Sequence, residues 1–176
     1  MRKIISLALI LVAFLTTVLL AGYMRVGKPV ADVIAADPRN EALHIAARQA
    51  YYVNPRVLVL DLKSAESASP ADLWRVLFDA AEALLEHERE FDQVILARRG
   101  TPVFVLSGSD FETLGKQRDY GENPLYMIRK LPSMLHHPDG NPAYGEWEGG
   151  LFGVLTREME DANSAASRWV EGSASE

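Results

Sequence analysis

The sequence predicts a small α/β or α+β domain, built on a three-stranded mixed sheet with flanking helices and preceded by an N-terminal transmembrane or signal helix. Three observations carry this expectation. Residues Ile4 to Gly22 form an uncharged, oily run. Three short runs rich in β-branched residues follow, Val57–Leu60, Val94–Ala97 and Val103–Leu106. Between the first two lies a stretch whose apolar residues recur at helical spacing.

The N-terminal run, IISLALILVAFLTTVLLAG, is hydroxylic only at Ser6, Thr16 and Thr17. As a helix it would span about 28 Å at ~1.5 Å per residue, close to the ~30 Å hydrocarbon core of a bilayer. It has no polar face, as a surface helix of a soluble domain would need. Arg2 and Lys3 precede it and favour a cytoplasmic N-terminus. A cleaved signal needs small residues at −3 and −1 of the cut. A cut after Ala21 or Gly22 would put Leu19 or Leu20 at −3, so an uncleaved anchor is the first reading and secretion after cleavage the second. The stretch Leu19-Leu20-Ala21-Gly22 resembles the lipobox of bacterial lipoproteins. That motif requires a cysteine next, and Tyr23 stands there, which excludes lipidation by this route.

Residues 29–36 are expected to form a linker. Asp37-Pro38 has the chemistry of a helix start, predicting a helix from Pro38 to about Tyr52 that Asn54-Pro55 stops. Val57–Leu60 reads as a strand buried on both faces, and Asp61–Ser69 as a loop. Ser69-Pro70-Ala71-Asp72 opens a second helix, with Leu73, Trp74, Leu77, Phe78, Ala81, Leu84 and Leu85 on its inner face, running to about Glu90. Arg98-Arg99-Gly100-Thr101 has the length and glycine of a hairpin turn. Strand–helix–strand predicts a parallel pair, to which the hairpin adds an antiparallel third strand. Ser109 or Asp110 would cap a short helix through Leu114, ended by Gly115. Asn123-Pro124 would begin another, with Leu125, Ile128 and Leu131 inward. From Leu151 a final helix places Phe152, Leu155, Met159, Ala162, Ala166 and Trp169 on one side. The expected organisation is therefore a signal anchor or signal peptide over 1–28, a linker over 29–36, a soluble α/β domain over 37–170 and a polar tail over 171–176.

Composition narrows the function. There is no cysteine, which removes disulfides, thiol catalysis and Cys-ligated zinc. Residues 1–28 hold four basic side chains and no acidic one, so the remainder keeps 14 of the 18 basic residues against all 24 acidic ones, a net of −10. A domain this acidic does not suit nucleic acid, which demands a basic surface.

Several constellations carry candidate chemistry. His136, His137 and Asp139 are the one cluster of metal-ligand type, although a metal would need further ligands from distant segments. The ordinary reading of that stretch is a solvated turn. Ser107, Ser109 and Asp110 lie between a strand and a helix start, where backbone N–H groups hold small anions or where a serine simply caps. Asp61 follows the first strand, on the side where α/β folds usually bind ligands. If the third strand is antiparallel, Asp61 and Ser109 fall at different places and share no site. Trp147 stands among glycines and acids in a loop that presents a recognition face or folds back as a lid. No complete catalytic set is visible, and no cofactor is expected. The leading expectation is a membrane-tethered, extracytoplasmic binding or assembly module in the inner membrane of a bacterial envelope, its soluble part in the periplasm or cell exterior. Its expected partners are the membrane, through residues 4–22, and an envelope protein. The alternatives are a small metal-dependent or hydrolytic enzyme using His136, His137 and Asp139, and a small-anion sensor at Ser107–Asp110.

Overall fold

The computed structural model describes residues 2–51 and 54–172. The oily run forms helix α1 (Arg2–Gly22), and the helix does not stop where the run stops. A π-helical turn (Tyr23–Gly27) joins it to α2 (Lys28–Ala36), with Gly22, Gly27 and Lys28 all in right-handed helical conformation. The Lys28 N–H donates to the Tyr23 carbonyl, the wider i to i−5 register. That register precedes Pro29, which has no N–H of its own to give, and wider turns are one way a helix absorbs such a loss. The expected linker over 29–36 is thus corrected to a helix. Its cause is the spacing of Val26, Val30 and Ile34, four residues apart, which forms an apolar stripe buried in the main core.

The second correction concerns the sheet, which has four strands. A single 3₁₀ turn (Pro38–Asn40) follows α2, and the predicted helix beyond it is instead strand β1 (Leu43–Ala50). Tyr52, where that helix was expected to end, lies outside the described residues. The alanines of LHIAARQA fit a helical face, but Leu43 and Ala47 also fit the alternation of a strand, and pairing with β2 (Asn54–Ala65) decides it. β2 is longer than Val57–Leu60, so Asp61 sits in a strand and not in a loop. Helix α3 (Pro70–Glu86) follows, then β3 (Gln93–Arg98) and β4 (Thr101–Ser107). The strand order is β1-β2-β3-β4, with β2 and β3 parallel and the outer pairs antiparallel. The parallel pair and the hairpin are as the sequence predicts. Arg99 and Gly100 turn that hairpin with φ of 48° and 91°, the double left-handed conformation that a two-residue turn requires.

Ser69 starts α3 with a full capping box: its hydroxyl accepts from the Asp72 N–H at 3.2 Å, and the Asp72 carboxylate accepts from the Ser69 N–H at 3.0 Å. The Ser69 hydroxyl, with Arg75 beside it, holds the Asp72 carboxyl below its usual range against the opposing effect of burial. Ser69→Ala is expected to cost about 1 kcal/mol at neutral pH. A depressed carboxylate stabilises the fold above its unfolded pKa and stops doing so as the pH falls through its folded value. The Ser69→Ala deficit should therefore shrink below about pH 4, near the unfolded aspartate value. Urea unfolding at pH 7 and pH 3 measures both quantities.

Helix α4 (Gly108–Asp119) is capped by Ser107, not by Ser109 or Asp110 as expected. It passes straight through Gly115, because the missing side chain lets α4 approach α3. A Cβ there would lie 2.8 Å from the Ala81 carbonyl oxygen. Helix α5 (Pro124–Lys130), begun by an Asn123 cap, buries Met127 and leaves Leu125 exposed. After a 3₁₀ turn (Leu131–Met134) and a long loop comes α6 (Leu151–Glu171), with Ala162, Ala165, Ala166 and Trp169 inward. The Phe152 side chain and residues 173–176 lie outside the described residues.

The main core lies between the helices and one face of the sheet. At its centre Trp74 of α3 stacks on Trp169 of α6, ring centroids 5.8 Å apart, both fully buried. Each indole N–H has an acceptor: Trp74 donates to the Ala162 carbonyl at 3.1 Å and Trp169 to the Ala97 carbonyl at 2.9 Å. The opposite face carries a smaller set, Ala50, Val59 and Ala97 with Val57 and Ile95. Both sheet edges are occupied in part. His136 exchanges N–H···O bonds with Val105 on β4, each 2.9 Å. On β1, the π-helical turn comes so close that a Cβ on Gly27 would lie 3.2 Å from the Ala47 carbonyl oxygen.

Candidate binding groove

The residues singled out in the sequence occupy four separate places. Asp61 is 1% exposed, accepts the Gly100 N–H at 2.9 Å and pairs with Lys63. It anchors the β3–β4 turn to β2, a structural task. Ser107, Ser109 and Asp110 lie at the opposite end of the sheet, since Ser107 stands across from Gln93 while Asp61 stands across from Ala97. Ser107 accepts from the Asp110 N–H at 3.0 Å and donates to the Asp110 carboxylate, while its oxygen lies 2.9 Å from Ser109 Oγ. The three side chains satisfy one another and the helix end.

His136 is held by its bridge to β4, with Nδ1 3.2 Å from the Met134 carbonyl oxygen. His137 lies over the Phe104 ring, centroids 6.5 Å apart. Asp139 accepts from Asn141, at 3.0 Å from its backbone N–H and 2.8 Å from its side-chain amide. These bonds to Asn141 hold its carboxyl below the usual range. Among the described residues no group of three or more His, Asp or Glu side chains converges as a metal site. Trp147 folds back on α6: its indole donates to Asp161 at 2.6 Å and Arg157 covers the ring at 4.6 Å. Tyr144 does likewise, packing on Phe104 and donating to Ser164 at 3.3 Å.

A groove of about 610 Å³ lies elsewhere, between the C-terminal half of α2, the 3₁₀ turn and the first half of β1. Ala31, Ile34 and Ala35 supply one wall, and Leu43 and Ile45 the other. Asp37, Glu41, His44 and Lys63 contribute polar groups to its lining. Its turn end is fixed by a polar network. Asp37 accepts from the Arg39 backbone N–H and guanidinium, and the guanidinium bonds hold its carboxyl down at about 2. Buried Asn40 donates to the Ile34 carbonyl at 3.2 Å and accepts from Arg75 at 2.8 Å, which in turn bonds Asp72 of α3. The turn is therefore braced against both helices.

This volume falls within the ~300–1,000 Å³ of ordinary ligand sites, and apolar walls with a few fixed polar groups are their usual lining. Comparisons with protein-family models, with curated proteins and with solved structures return no match. The groove's residues escape a reading of the sequence because 38–52 reads as helix there. A helix would scatter Leu43, His44 and Ile45 around a cylinder, whereas an edge strand lines them along one rim. A usable signal was present in the Leu43-Ile45-Ala47 alternation.

Proposed function

We propose that this chain is a membrane-tethered binding or assembly module whose groove beside β1 receives an extended segment of an envelope protein. The observation that carries the reading is the unbroken helix from α1 into α2. It passes from an exposed apolar stretch, long and oily enough to cross a bilayer, into a stripe buried in the domain core. Such a helix ties the domain to the membrane without a flexible stalk, and it forms one wall of the groove. Continuity through Gly22 also favours the uncleaved anchor, since cutting there would sever a packed helix just before Val26. Arg2 and Lys3 ahead of the run support a cytoplasmic start and an extracytoplasmic domain.

An extended guest suits the geometry because β1 is an edge strand, hydrogen-bonded to β2 alone among the strands. Adding a strand gives main-chain hydrogen bonds for affinity and side-chain pockets for selectivity. The natural chain has no cysteine, so each introduced thiol is unique. His44→Cys should react with a membrane-impermeant maleimide readily in purified, detergent-solubilised protein and several-fold more slowly in native membranes, where the partner is present. Tyr120→Cys, exposed and outside the groove's lining, should react equally in both, and in intact spheroplasts it reports which side the domain occupies. Equal reaction of His44→Cys in both preparations would remove the groove from the proposal. Release of the chain by an alkaline carbonate wash would remove the tether.

A further inference from the structure

We infer that the β1–β2 end of the sheet is a second membrane contact, with Tyr51 seated in the headgroup layer of the bilayer that α1 crosses. The inference rests on the proposed membrane-spanning role of α1 and adds to it a part of the folded domain. Helix and strand run in opposite directions along each other. Ile34 and Ala35 lie beside Leu43–Ala46, Gly27 beside Ala47, and Leu19, Gly22 and Tyr23 line one cleft with Ala46–Gln49 of β1 and Asp61 and Lys63 of β2.

Their different rises then fix the level of the strand's end. From Ala47 to Ala50 the strand advances about 10 Å at ~3.3 Å per residue, and Tyr51 turns off its last residue. Going back the same distance from Gly27 takes about seven helical residues at ~1.5 Å each, to the neighbourhood of Leu20 and Ala21. Those residues belong to the oily run. The accessibility of the helix agrees: Leu19 is 42% exposed, against 56% for Leu15 and 59% for Leu20 on either side of it. The domain thus reaches past the end of the apolar run at Gly22 and comes level with its last turn.

Tyr51 stands at that level, 87% exposed and with a φ of 50° that a tyrosine seldom adopts. A large ring presented to solvent at a strained backbone position has little to gain from water. Tyrosine is the side chain that favours the membrane–water boundary, its ring among the acyl ends and its hydroxyl wet. Glu86, Glu88 and Glu90 precede β3 at the same end of the sheet. Arg56 and Arg89 stand among them, so charge of both signs lies at this end and the contact is assigned to the aromatic ring.

The full chain, reconstituted in phosphatidylcholine vesicles, provides the test. Tyr51→Cys, Tyr120→Cys and Leu15→Cys each carry one nitroxide, and its collision rates with oxygen and with a neutral nickel chelate give depth. The label at 51 should favour oxygen over the chelate several-fold more than the label at 120, which is 83% exposed at the far end of α4. Equal ratios at 51 and 120, with the label at 15 reading hydrocarbon, would overturn this contact and leave the anchor standing. A watery reading at 15 would overturn the anchor and the contact together.

Discussion

Replacing Gly108 with alanine should destabilise the domain by about 3 kcal/mol, in the range that overpacking against a fixed backbone costs. At an exposed helical position the same change should gain up to ~1 kcal/mol from helix propensity alone. Gly108 is buried at the first turn of α4, and its N–H donates to the Asp92 carbonyl at 2.9 Å. A Cβ there would overlap the Phe91 carbonyl group, with the carbonyl carbon only 2.6 Å away. The obstacle is main chain, and it is held. The Phe91 ring meets Phe111 edge-on at 6.3 Å, and Asp92 is paired with Arg56. Gly153→Ala in α6 is the matched control, because nothing lies within 4 Å of its Cβ position. Thermal unfolding of the full chain in detergent should show a lower midpoint for Gly108→Ala and an equal or higher one for Gly153→Ala. Equal midpoints for wild type and Gly108→Ala would contradict the close approach.

Trp169→Ala should cost about 4 kcal/mol, the usual range for removing a large aromatic from a core. It empties the space between α6 and the sheet, unstacks Trp74 and leaves the Ala97 carbonyl without its indole donor. Trp169→Phe separates these effects. It keeps a ring against Trp74 and forfeits the hydrogen bond, so its deficit should be nearer 1–2 kcal/mol. Removing Trp74 and Trp169 singly and together should reveal a coupling of about 1 kcal/mol beyond additivity. Denaturant titration followed by near-ultraviolet circular dichroism reads all three, and additive losses would mean that the stack contributes no more than burial.

The parts of the fold legible in the sequence are those with a single physical reading. Ser69-Pro70-Ala71-Asp72 states a helix start by hydrogen-bonding chemistry alone, and the residues after it keep one face apolar. Arg99-Gly100 between two β-branched runs states a two-residue hairpin. The oily run could only be a long apolar helix. Legibility fails where two periods coincide. The alanines of β1 suit helix and strand alike, and what decides is the partner strand, residues Asn54–Ala65, whose pairing no local window contains. The same failure hid the groove. The linker expected over 29–36 fails for a related reason: Pro29 suggests a broken chain, while the wider helical turn before it lets the helix continue. Asp61 reads as a loop acid because the stretch it opens, through Ser69, is mostly polar and small. Lys63, two residues on along the same face, pairs with it, but the Gly100 N–H that also compensates it lies far outside its local sequence.

The way the sheet's margins are closed sets a limit on growth. His136 occupies β4 at Val105, and Gly27 presses on β1 at Ala47, so neither border offers the long bare template on which identical chains add without end. What stays open on β1 is the stretch from Leu43 to Ala46, room for about 13 Å of extended guest at ~3.3 Å per residue. In the proposed reading, a border trimmed to that length would admit one short visitor and terminate there.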